Sequence, residues 1–101
     1  MRYSPDMKIN LSYKLPLVIT KQGKRFVAYT PALDISTSGK SVKDAQKKFN
    51  ELAELFFEEI IDEGTVSEVL TELGWQKEKK QWQPPRVVSS TSVGVRVPQL
   101  A

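Results

Sequence analysis

Apolar and polar positions along the chain change period several times, and each change marks an element. From Leu11 the odd positions Leu11, Tyr13, Leu15, Leu17 and Ile19 are apolar, while Ser12, Lys14 and Thr20 are polar. This alternation predicts a half-buried strand. Pro16 removes a ladder hydrogen bond, so the segment is either an edge strand or a strand that starts at about Leu17. Gln22-Gly23 supplies a turn, and Arg25 to Tyr29 reads as a second strand, completing a hairpin. After Pro31, Leu33, Ile35 and Thr37 alternate in a short third strand that ends in a turn at Gly39.

The period then lengthens to that of a helix over 42–63. With Glu51 set at zero and about 100° per residue, Val42, Ala45, Phe49, Leu52, Phe56 and Ile60 fall on one side, and Ala53 and Phe57 widen that stripe. Ser41 with Asp44 forms an S-x-x-D start, and Gly64 a stop. A second box, Thr65-Val66-Ser67-Glu68, opens a short helix with Val66, Val69, Leu70 and Leu73 inward and Gly74 at its end. Next, Trp75-Gln-Lys-Glu-Lys-Lys-Gln-Trp82 is nearly symmetric about the Glu78–Lys79 bond, which predicts a hairpin with Trp75 opposite Trp82. Pro84-Pro85 interrupts regular structure, and Val93-Gly-Val95-Arg-Val97 alternates again after a Ser/Thr stretch. That terminal strand either folds back on a sheet edge or adds to an edge of another subunit.

The expected fold class is α+β: a small antiparallel sheet of about three strands, one long helix packed on it, a short second helix and a C-terminal β extension. Residues 1–10 read as a flexible N-terminus, 11–83 as the domain and 84–101 as a tail with an extra strand. At 101 residues the chain suffices for one such core. No stretch approaches the roughly 20 apolar residues of a membrane span, and Met1 to Asn10 lacks the apolar region of a signal peptide, so a cytoplasmic protein is expected.

Composition narrows the chemistry. There are no cysteines and no histidines, which removes disulfides, thiol catalysis, the usual zinc ligands and the commonest general base; no cofactor or metal is expected. The net charge of +3 divides into +5 for residues 1–40, −6 for 41–74 and +4 for 75–101. An acidic middle argues against a simple nucleic-acid binder, which needs a contiguous basic face. On the helix, Glu51, Glu54, Glu58 and Asp62 form a carboxylate ridge with Leu55 beside it, either a solvated face or a contact for a basic partner. Lys21, Lys24 and Arg25 at the first hairpin read as solvated turn charges, with a phosphate site as the alternative. Lys77, Lys79 and Lys80 between Trp75 and Trp82 admit a stacking surface for single-stranded nucleic acid.

The run V-A-Y-T-P-A-L-D-I-S-T-S-G-K-S-V-K-D-A from Val27 to Ala45 resembles the HicB-type antitoxins, in which a strand ending Y-x-P, a D/G-[IC]-x-[ST]-x-G turn and an [ST]-x-x-[ED]-A helix start follow in that order. The resemblance covers about Leu17 to Gly64. It implies a partial ribonuclease-H-like fold without catalysis, a homo-oligomer (dimer or tetramer), and a partner in the form of a small basic HicA-like ribonuclease toxin. On that basis Glu51, Glu54, Leu55, Glu58 and Asp62 are the candidate partner contacts, and Val93, Val95 and Val97 the candidate oligomer contacts. Operator binding is not expected, because no helix-turn-helix or ribbon-helix-helix follows Gly74. A two-metal nuclease is disfavoured as well: Leu11 to Thr20 holds no acid, and Asp34 beside Pro31 suits turn chemistry.

Overall fold

A computed structural model describes residues 12–99. Three strands, β1 (Val18–Gln22), β2 (Arg25–Thr30) and β3 (Ile35–Gly39), form an antiparallel meander in the order β1-β2-β3. The register pairs Gln22 with Arg25 and Phe26 with Gly39, so the β1–β2 turn and the end of β3 lie at the same end of the sheet. Helix α1 (Val42–Glu63) packs on β2 and β3, and α2 (Val66–Glu72) follows a sharp corner. A separate hairpin of β4 (Gln76–Glu78) and β5 (Gln81–Gln83) completes an α+β fold.

Pro16 decides the start of the sheet: the ladder begins two residues after it, at Val18. Tyr13 and Leu15 still reach the core, but from extended chain outside the ladder. The core has two clusters. Ala28, Ala45 and Phe49 join Leu17, Ile19 and Phe26 near the start of α1. Ala32, Leu33, Ile60, Leu70 and Trp75 gather at the other end, with Phe56, Phe57 and Trp82 around them.

Helix α1 starts and stops where its sequence grammar places it. Ser41 Oγ accepts the Asp44 N–H at 3.0 Å, and the Asp44 carboxylate accepts the Lys40 N–H at 2.9 Å, one residue earlier than in a capping box. At the far end Gly64, with φ 70°, donates to Ile61 while Thr65 donates to Ile60, the paired bonds of a Schellman motif. Helix α2 ends in the same way, with Gly74 donating to Thr71 and Trp75 to Leu70.

Four expectations shift. Val42 lies on the apolar stripe by angle but is exposed, because it precedes the part of α1 that covers the sheet. The third strand begins at Ile35, since Ala32 and Leu33 are buried in the turn before it. Thr65 makes no side-chain capping bond, the tight corner after Gly64 giving it a non-extended backbone. No strand forms among residues 84–99: Val93, Val95 and Val97 are 78%, 75% and 76% exposed, so the tail does not fold back on a sheet edge of its own subunit.

The second hairpin turns one residue later than expected, which offsets its register by two residues. Lys77 pairs with Trp82, and the turn is Lys79–Lys80, both with positive φ (48° and 69°). Trp75 stands before β4 because the core claims it. Its indole N–H donates to the Ala32 carbonyl at 2.7 Å, and its ring meets Tyr13 and Phe57 edge-on. A buried, hydrogen-bonded indole outweighs a surface cross-strand pair, which contributes only about 0.2–1 kcal/mol.

Candidate functional site

The residues behind the family resemblance build architecture. Thr30 is buried, and its hydroxyl accepts the Ala32 N–H at 3.2 Å. Asp34 closes the turn by donating its N–H to the Thr30 carbonyl at 2.9 Å, with φ 53°, a left-handed conformation that Asp tolerates better than most residues. The Tyr29 hydroxyl donates to Asp34 Oδ1 at 3.0 Å, which raises the tyrosine pKa, as proximity to a carboxylate must. Asp34 is therefore engaged in its turn. Among the described residues no group of three His, Cys, Asp or Glu side chains could hold a metal ion.

The exposed chemistry lies on α1. Glu51, Glu54, Glu58 and Asp62 are all exposed, and Leu55 among them is 55% exposed. The structure adds Ile61, 42% exposed, which sequence reading passed over although its angle of about −80° places it off the apolar stripe. Leu55 and Ile61 flank Glu54, Glu58 and Asp62, about 9 Å apart along the axis. Two aliphatic side chains bordering a carboxylate strip is the composition of a small contact surface: apolar anchors supply affinity and the charges register.

The charge order along α1 runs against the helix dipole. Lys43, Lys47 and Lys48 occupy its first two turns, while Glu58, Glu59, Asp62 and Glu63 occupy its end, where there is no basic residue. From Phe49 to Gly74 the chain holds eight acids and no Lys or Arg. Each terminal charge of the wrong sign costs about 0.3–1 kcal/mol at low ionic strength. Asp44 alone follows the dipole; the Lys40 N–H, Lys48 at 3.4 Å and Arg25 hold its carboxyl below the ordinary range.

The proposed aromatic pair does not make a stacking platform. Trp75 is only 2% exposed and offers no face to a base. Trp82 is half-buried against the core, with the Lys77 ammonium 5.8 Å from its ring centre. Lys79 and Lys80 lie exposed at the turn.

Comparison with protein-family models, with curated proteins and with solved structures gives no match. No helix among the described residues is long and apolar enough to cross a membrane.

Proposed function

We propose that the chain is a non-catalytic, HicB-like antitoxin-type protein that binds and neutralises a small basic HicA-like ribonuclease toxin in the cytoplasm. The observation that carries this reading is the acidic strip of α1 bordered by exposed Leu55 and Ile61. A basic partner would meet opposite charge over the second half of the helix and bury both aliphatic side chains. The resemblance of Val27–Ala45 supports the same reading, as does the order of strands and helix. The engagement of Asp34 in its turn and the lack of any acid in β1 support a non-catalytic role.

The test is capture of a small basic protein in stoichiometric amount by the tagged chain, repeated with Glu54→Lys/Glu58→Lys. The expected result is an affinity about 100-fold lower for the variant, since like charges juxtaposed at a contact cost several kcal/mol. Unchanged capture would remove α1 as the contact.

A second reading is an oligomeric domain without a toxin partner. It is favoured by the alternating, exposed Val93, Val95 and Val97 on a tail that makes no strand in its own subunit. If the tail adds to a sheet edge of another copy, truncation after Ser90 lowers the mass in light scattering from a dimer or tetramer to a monomer. An unchanged mass places the oligomer contact elsewhere.

A further inference from the structure

The first hairpin carries Lys21, Lys24 and Arg25, and the start of α1 carries Lys40, Lys43, Lys47 and Lys48. In sequence these are two groups, and Lys43, Lys47 and Lys48 of the second are counted with the acidic middle of the chain. The fold joins them. Gln22 pairs with Arg25, Phe26 pairs with Gly39, and Arg25 Nη2 donates to Ser38 Oγ at 3.1 Å, which sets the hairpin tip beside the end of β3. Gly39 in turn lies directly under Ala45, and the Lys40 N–H donates to Asp44, which sets the first turn of α1 on the same end.

Seven cations from three elements thus gather at this end of the sheet, with Asp44 among them and Glu51 the next acid along α1. Asp34 is at the opposite end of β2 and β3, in the turn that joins them. Lys48 is paired with Asp44, and Lys21 lies over the Phe26 ring at 6.0 Å. Among the described residues Lys24, Lys40, Lys43 and Lys47 are exposed and make no ion pair. Exposed like charges this close repel one another, and Lys43 also opposes the helix dipole, so the cluster does not serve stability. A polyanion relieves both effects.

We infer that this end of the domain binds the phosphodiester backbone of nucleic acid without reading its sequence. The side chains are exposed lysines gathered from a turn, a strand end and a helix start, a set suited to contacts with phosphates and not to reading base edges. This surface is at the other end of α1 from the acidic strip, and the inference does not rest on the toxin-binding reading. It also differs from the second hairpin, where Lys77 lies over the half-buried Trp82 and Lys79 and Lys80 form the turn.

The experiment is fluorescence anisotropy of the full-length protein with one labelled 20-base-pair sequence as a DNA duplex and as an RNA duplex, between 50 and 200 mM KCl. With about five phosphates neutralised, the affinity falls about 500-fold over that range. Lys24→Glu/Lys43→Glu/Lys47→Glu is expected to weaken binding at 50 mM at least 30-fold, whereas Lys77→Glu/Lys79→Glu/Lys80→Glu, with the same net charge, leaves it within threefold. Position 43 lies in the first turn of α1, where the helix dipole favours an acid, and circular dichroism checks the fold of the variant. Similar binding of both duplexes supports backbone recognition, and preference for one supports it with a groove-width selection. Equal loss in the two triple variants, salt-independent binding, or tighter binding to vesicles containing 30% phosphatidylserine would each overturn the inference.

Discussion

Replacing Gly39 by alanine is expected to destabilise the domain by about 3 kcal/mol, read as a fall in the urea midpoint with an unchanged slope. A Cβ at this position would lie 2.5 Å from the Ala45 nitrogen, 2.8 Å from the Ala45 Cα and 2.8 Å from Asp44 Oδ2. Two of these are backbone atoms of the first turns of α1, so no side-chain rotation relieves the clash. The helix must lift from β3, which loosens Ala45 and Phe49 over Ala28 and disturbs the bonds from Asp44 to Lys40 and Ser41. For a domain whose whole stability is of the order of 5–15 kcal/mol, this is a large fraction. Gly23, at a turn with open space around it, provides the contrast: its substitution strains φ but displaces nothing.

Trp75→Ala is expected to cost still more, about 3–5 kcal/mol, because it empties the centre of the second core cluster. Tyr13, Phe57, Leu70 and the Ala32–Leu33 turn all lose a neighbour. Trp75→Phe separates the two parts of this effect. It keeps most of the ring volume but leaves the Ala32 carbonyl without its 2.7 Å donor, a loss of about 1–3 kcal/mol. Denaturation of the three proteins followed by far-ultraviolet circular dichroism gives both numbers. Equal midpoints for Trp75→Phe and the parent would mean that the indole hydrogen bond contributes nothing net.

These two residues also show what the sequence could and could not convey. Local grammar is legible where neighbours in sequence are neighbours in space: Ser41 and Gly64 bound α1, and the alternation around Phe26 and Ala28 gives β2 its inward face. Trp75 misleads because symmetry with Trp82 is a local cue, while the force that places it comes from Ala32, 43 positions away. Gly39 looks like a turn glycine, yet it is a strand residue kept small by the helix above it. The candidate surfaces divide similarly. The acidic strip follows from helical spacing alone, and Ile61 could have been added by the same arithmetic. The basic end could not, since it is assembled from a hairpin, a strand end and a helix start, whose union depends on strand register.

The reversed charge order of α1 bears on how this protein could be improved as a scaffold. Exchanging its terminal charges, acids to the front and lysines to the rear, is the first correction a designer would make, and each exchange would harden the helix by a few tenths of a kcal/mol. The same exchanges would erase both charged poles. If the two poles bind as proposed, toughness and recognition draw on one set of side chains, and a chain selected only to survive heat would drift toward a sequence that binds nothing.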